Sequence, residues 1–219
     1  MERSAGILLS VSSLPSPYGI GTLGKAAYDF ADFLAAAGQK YWQLLPLGPT
    51  SYGDSPYQSF STFAGNPYFI DLDMLIEDEL LTEEEVTMRD WGSNARAVDY
   101  GKIYENRFEV LAIAKERGWE RDREEVAAFM EENKRWLGDY ALYMACKRHY
   151  GMRPWTEWPD DIRLRDTEAL AEASEKYNED VELFIYIQFL FFRQWNALRN
   201  YLHDKGIFVI GDLPIYVPL

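Results

Sequence analysis

Tyr41-Trp42-Gln43-Leu44-Leu45-Pro46-Leu47-Gly48-Pro49-Thr50 is the stretch whose reading decides the fold. Its first five residues form a short, largely apolar run, and Pro46 and Gly48 close it. Such a run, bounded by turn residues, predicts a buried strand over Tyr41 to Leu45 that opens into a loop. Upstream, Lys25 to Ala37 carries Tyr28, Phe30, Phe33 and Leu34 and stops at Gly38, the signature of a helix with a glycine C-terminal cap. Before that helix, Ile7 to Ser10 is another brief apolar run, closed by Pro15, Pro17 and Gly19, and it reads as a further buried strand. Strand, helix and strand with short connections make a βαβ unit, so the strands are expected to be parallel.

Downstream, Gly48 to Pro67 has neither a helical nor a strand period. It packs Gly, Pro, Ser and four aromatics into twenty residues. A loop this long in a compact fold is usually functional, and this one leaves the carboxyl end of a strand, where ligand-binding loops gather in parallel α/β folds. A sugar ring has an apolar face of C–H groups and a rim of hydroxyls. Tyr52 and Tyr57 can supply a flat surface for the face, and Asp54, Ser55, Gln58 and Asn66 can supply donors and acceptors for the rim. Composition alone equally allows a rigid, proline-braced surface loop whose tyrosines fill gaps.

From about Tyr100 to His203 the pattern is helical. Phe108, Leu111 and Ala112 mark one stripe, Val126, Phe129 and Met130 a second, and Trp136, Tyr140, Tyr143, Met144 and Lys147 a third. The longest helix, about Glu179 to Asp204, aligns Phe184, Gln188, Phe191, Trp195, Leu198 and Leu202, and Phe189 and Phe192 widen that face. This stripe reads as core packing. After Gly206, Ile207 to Asp212 predicts a third buried strand that ends in a carboxylate. Three parallel strands leave two unpaired edges, and parallel sheets normally have both faces covered. The sequence therefore reads as the opening part of a larger α/β domain.

The formal charge of −14, from 36 acidic and 22 basic residues, disfavours nucleic-acid and membrane partners and suits a neutral ligand. Cys146 is the only cysteine, so an internal disulfide or a cysteine-based metal cluster is ruled out, and a reducing, cytoplasmic setting is expected. No glycine-rich phosphate loop or metal-ligand spacing appears, so neither cofactor nor metal is expected. His149, His203 and Cys146 read as structural, with Cys146 in a core.

Several motifs carry a specific resemblance. The run from Tyr41 to Thr50, followed by Tyr52-Gly53-Asp54-Ser55-Pro56-Tyr57-Gln58-Ser59, resembles the hallmark of 4-α-glucanotransferases of the amylomaltase (disproportionating enzyme) family, glycoside hydrolase family 77. Ser13-Leu14-Pro15, Pro17-Tyr18-Gly19-Ile20-Gly21, Gly65-Asn66-Pro67-Tyr68, Phe191-Phe192-Arg193-Gln194-Trp195 and Gly211-Asp212-Leu213-Pro214-Ile215-Tyr216-Val217 match it in order.

The resemblance implies a (β/α)8 barrel of which this chain carries the first three strands. Residues 1–219 would be the N-terminal part of one catalytic barrel domain, and residues 50–200 a loop and largely helical insertion between strands two and three. It implies transfer of α-1,4-glucan segments between maltooligosaccharides or amylose by a retaining double displacement. It also places the catalytic carboxylates beyond Leu219, so the chain alone is expected to catalyse nothing and to be marginally stable. Asp212 is implied at the first glucose subsite or in support of the catalytic acids; a turn-forming Asp before Pro214 is the plainer role. Tyr104 matches a family tyrosine near a secondary glucan site; an ordinary helix-surface aromatic is the plainer role there. An α-glucan hydrolase of the same clan and a stand-alone glucan-binding module are the alternatives.

Overall fold

The structure is a computed structural model in which residues 3–51, 53–94 and 96–214 are described. It divides into two compact units: residues up to Arg117 together with those from Leu190 onward, and Gly118–Phe189. The insertion expected over residues 50–200 is thus shared between them.

In the first unit, three strands, β1 (Gly6–Leu8), β2 (Tyr41–Gln43) and β3 (Phe208–Ile210), form a parallel sheet in the order β1-β2-β3. The parallel βαβ reading therefore holds. Ile7 pairs with Trp42 and Trp42 with Val209, so these three side chains share one face. Trp42 is fully buried there, meets Phe30 edge-on at 4.9 Å and donates its indole N–H to the Leu9 carbonyl at 2.9 Å. Phe30 belongs to helix α1 (Lys25–Ala36), which covers this face. Its core stripe is Ala27, Ala31 and Leu34, spaced i, i+4, i+7. The aromatics that mark this helix in the sequence lie to the side of that stripe, and Phe33 is exposed. Small residues at the contact let the helix approach the large Trp42 ring. Gly38, with φ +69°, closes the helix as expected.

The strands depart from expectation in one respect: β1 and β3 are not buried runs. Both read exposed, intermediate, exposed, and Phe208 is 51% exposed. The cause is the two-residue period. Leu8, Phe208 and Ile210 point to the face opposite α1, and no described element covers that face. The assigned strands are also shorter than expected, although the ladder continues through Leu9 N–H to Gln43 O at 3.1 Å and Leu44 N–H to Ile210 O at 2.9 Å.

Two short helices precede Tyr100, and the sequence reading missed them. Helix α2 (Leu72–Glu77) is capped by Asp71, whose Oδ1 accepts from Met74 N–H at 3.0 Å. Helix α3 (Glu83–Thr87) begins with a capping box between Thr82 and Glu85. Helix α4 (Tyr100–Gly118) buries Ile103, Arg107, Val110, Leu111 and Ala114; of the expected stripe only Leu111 is fully buried.

The second unit contains α5 (Arg123–Glu132), α6 (Leu137–His149), α7 (Asp160–Arg163), α8 (Thr167–Lys176) and the first part of α9 (Asn178–Asp204). Cys146 lies in its core with Trp158, Ile162 and Ala173, as expected of a structural cysteine. Within this unit Tyr186 donates to Asp122 at 2.7 Å, and Arg148 pairs with Asp180 at 2.9 Å. Met130 of the α5 stripe is exposed. His149 is exposed on α6 and packs its ring against Tyr177 at 4.3 Å. His203, also exposed, lies 6.0 Å from Phe208 in the first unit. No helix among the described residues is long and apolar enough to cross a membrane.

Candidate functional site

The loop after β2 is ordered by its own polar groups. Thr50 and Ser59 form an antiparallel bridge, Ser51 N–H donates to Gln58 O at 3.0 Å, and Gln58 N–H donates to Ser55 O at 3.0 Å. The turn between them passes through Gly53 at φ +89° and Asp54 at φ +54°. Both lie in the left-handed region, which glycine enters freely and Asp tolerates better than most residues. Further on, the Ser61 hydroxyl accepts from Ala64 N–H at 3.1 Å, and Asn66 N–H returns to Leu47 O at 2.8 Å, closing the loop.

That frame presents Tyr57, which is 39% exposed. Its hydroxyl donates to Asp212 Oδ2 at 2.8 Å, linking the loop after β2 to the residue just beyond β3. Asp212 also lines an open cleft of about 260 Å³, walled by Leu44 to Gly48, Phe63, Phe191 and Trp195. All of these residues belong to the first unit. The phenol of Tyr57 is held above its ordinary range, chiefly because its proton is bonded to the Asp212 carboxylate. Losing that proton would place two negative oxygens in contact. A flat ring beside a carboxylate at the rim of an apolar cleft offers a stacking face and an acceptor together. A carboxylate has about four lone-pair sites, so the Tyr57 bond leaves capacity for ligand hydroxyls.

The other sequence-derived residues separate into different roles. Gln58 is exposed on the same turn, and Ser55 Oγ accepts from Tyr57 N–H at 3.3 Å, which steadies the tyrosine backbone. Asn66, expected to offer rim groups, is 2% exposed, and its Oδ1 takes the Tyr68 N–H at 3.0 Å. It holds the loop end in place. Asp54 interacts with Tyr68 and Tyr100, whose phenols it helps push up, though burial is the larger cause in both. Its own carboxyl is raised by partial burial. Tyr104 is exposed on α4 and packs edge-on against Phe108 at 5.5 Å, and Phe108 meets Tyr68 at 6.5 Å. Asp54, Tyr68, Tyr100 and Tyr104 thus form a second group, beside the Tyr57–Asp212 pair. Tyr52 lies outside the described residues.

Behind the loop stands a buried polar frame that sequence reasoning did not single out. Gln194 donates Nε2 to Asp71 O at 3.0 Å and accepts from Asp71 N–H at 2.7 Å, so one side-chain amide satisfies both backbone polar groups of Asp71. Asp71 Oδ2 also accepts from Thr22 Oγ1 at 2.5 Å. A Cβ on Gly24 would fall 2.0 Å from that oxygen, which is why a glycine caps the start of α1. Arg107 is fully buried, donates to Ile70 O at 2.8 Å and sits 5.1 Å over the Trp91 ring. Burial pushes its guanidinium down to about 10, against the pull of Asp71, so it remains charged at neutral pH. Gly65 admits the Phe191 ring, since a Cβ there would lie 2.0 Å from Phe191 Cδ1. The Phe191 to Trp195 motif gave a signal for this frame. Its pairing with Asp71 gave none.

Comparisons with known proteins find relatives along nearly the whole chain. A family model described as 4-alpha-glucanotransferase matches residues 9–218. A 4-alpha-glucanotransferase of Clostridium butyricum is 48% identical over 209 residues, covering 95% of this chain and 43% of that protein. One from Thermus thermophilus is 48% identical over 221 residues, covering 99% of this chain and 43% of the relative. The chain thus spans less than half the length of these curated relatives. Among solved structures, an amylomaltase from Streptococcus agalactiae in complex with acarbose superposes with a TM-score of 0.96 at 41% identity, over 99% of this chain and 44% of that one. An amylomaltase from Corynebacterium glutamicum, at 18% identity and a TM-score of 0.69, shares the fold.

Proposed function

The chain belongs to the 4-alpha-glucanotransferase family, and on that premise we propose that it supplies one wall of an active site that moves α-1,4-glucan segments between maltooligosaccharides or amylose. The observation that carries this reading is the Tyr57 hydroxyl at 2.8 Å from Asp212, on the rim of the cleft beyond β2 and β3. A glucose ring would lay its C–H face on the phenol ring and offer hydroxyls to the carboxylate and to Gln58. Asp54 and Ser55 serve the same loop, and Tyr104 a neighbouring contact. The acarbose bound to the Streptococcus agalactiae amylomaltase supports an oligosaccharide as the ligand class.

The parallel sheet is read here as the first three strands of a (β/α)8 barrel, with residues 50–200 inserted between the second and third. Residues 1–219 then form the N-terminal part of one catalytic domain, in a cytoplasmic enzyme. In a retaining transfer, a carboxylate attacks the anomeric carbon while a carboxylic acid protonates the departing 4-oxygen. The same acid, now a base, then takes the proton of the incoming 4-hydroxyl. Neither part is given to a residue of this chain. Its residues bind and orient: they hold the donor ring against the carboxylates and keep an acceptor sugar where water would otherwise react.

The test uses maltotriose and the full-length protein. Transfer predicts glucose together with products longer than maltotriose. Reducing ends appearing without longer products would make it a hydrolase of the same clan and defeat the proposal.

A further inference from the structure

The second unit holds a cleft with no part in the site above. It measures about 370 Å³ and is lined by Tyr143 and Cys146 of α6, by Trp155 and Trp158, and by Ile162, Arg163 and Arg165 around α7. That volume lies within the ~300–1,000 Å³ of small-molecule sites. Trp155 stands out. It is 43% exposed, the only one of the seven tryptophans with an exposed side chain. Among the described residues no ring stacks on it and none accepts from its indole N–H.

The wall beneath is aromatic and firm. Trp158 is buried, donates its N–H to Arg153 O at 3.2 Å, and stacks obliquely on Tyr143 at 5.2 Å and Tyr150 at 5.5 Å. The charges at the rim are closed on themselves: Arg165 pairs with Asp139 at 2.9 Å, and Arg163 with Asp160 at 2.7 Å. A rim of balanced ion pairs has no net field to select an ion, yet it presents fixed donors and acceptors. Aromatic planes below and neutral polar pairs above suit a ring that is apolar on its face and hydroxylated at its edge. The geometry points to a second α-glucan contact here, with Trp155 as the stacking platform and the Arg165–Asp139 pair on the sugar hydroxyls. This inference rests on the proposed function for its choice of sugar.

Such a contact would give the protein a further hold on α-glucan, separate from the Tyr57–Asp212 pair. Maltoheptaose is the probe, titrated into the full-length protein by calorimetry and by indole emission. Trp155→Ala should weaken one binding phase roughly tenfold, and Trp155→Tyr, which restores a ring, should recover most of it. Tyr57→Ala should leave that phase in place. In the unsubstituted protein, maltoheptaose should also slow oxidation of Trp155 by N-bromosuccinimide, a readout that needs no variant to fold.

Unchanged maltoheptaose binding in Trp155→Ala, or unprotected Trp155, overturns the second site and leaves the proposed function standing. A phase lost only in Tyr57→Ala does the same. Undiminished transfer in Tyr57→Ala, with the other binding phase also unweakened, counts against the proposed function instead. If anilinonaphthalene sulfonate fills the cleft and maltoheptaose fails to displace it, the cleft is an apolar docking surface and the glucan assignment is wrong.

Discussion

Tyr57 and Asp212 are 155 residues apart in sequence, and the phenol of the first bonds to the carboxylate of the second at 2.8 Å. The loop after β2 and the end of β3 therefore act as one surface. The tyrosine has two separable functions, a ring face and a hydroxyl. Tyr57→Ala removes both and should weaken maltooligosaccharide binding by roughly tenfold or more. Tyr57→Phe keeps the ring and should cost a few-fold only. Calorimetric titration with maltoheptaose checks the order. Equal losses in the two variants would show that the hydroxyl, not the stacking face, carries the binding.

Asp54 combines a left-handed backbone, φ +54°, with a carboxyl whose pKa is raised by partial burial. A carboxyl raised on folding binds its proton more readily in the native state, so stability falls as pH rises through the window just above its ordinary value. Asn tolerates the same backbone region and carries no charge to desolvate. Asp54→Asn is therefore expected to raise Tm at pH 7 and to leave it nearly unchanged near pH 3. A lower Tm at pH 7 would mean that the charge has a stabilising partner.

What the sequence made legible was local. Tyr41 to Thr50 announces a strand and its exit because Pro46 and Gly48 follow the apolar run directly. Tyr57 stood out as an aromatic of the long loop that leaves a strand, and Asp212 because it ends the third apolar run. Burial was harder to read, because an apolar run looks the same whether one face of a strand is covered or both; hence Phe208 and Ile210 were expected inside. Arg107 was missed because its partners, the Ile70 carbonyl and the Trp91 ring, lie on other elements. Asn66 looked like a ligand group because its capping of Tyr68 depends on a backbone turn that composition does not reveal.

The Gln194–Asp71 clamp bridges 123 residues and is buried. Gln194→Leu keeps the volume but leaves the Asp71 N–H and C=O without partners. Each such buried group costs about 1–3 kcal/mol, so a loss of roughly 2–6 kcal/mol is expected. Urea unfolding at fixed protein concentration measures it through the midpoint, provided the slope is unchanged. A loss below about 0.5 kcal/mol would mean that water reaches the peptide and replaces the amide.

Glu85 ties α3 to α4 through Arg117, with its Oε1 at 2.6 Å from the guanidinium. Its carboxyl is lowered from 4.5 to about 2, first by that bond and then by the Thr82 N–H it accepts. The sign follows from linkage: a carboxyl depressed on folding stabilises the native state above its unfolded value, and the contribution fades as pH drops from about 4.5 toward 2. Both side chains are partly exposed, so solvent screening keeps the effect modest. Glu85→Gln should therefore melt below the unsubstituted protein at pH 7, with the gap narrowing through pH 4 and closing near pH 2. Melting curves of the two proteins at matched ionic strength give the comparison. A gap that stays constant across that range would trace the loss to the capping geometry of Thr82 and Glu85, and the charge would have no part in it.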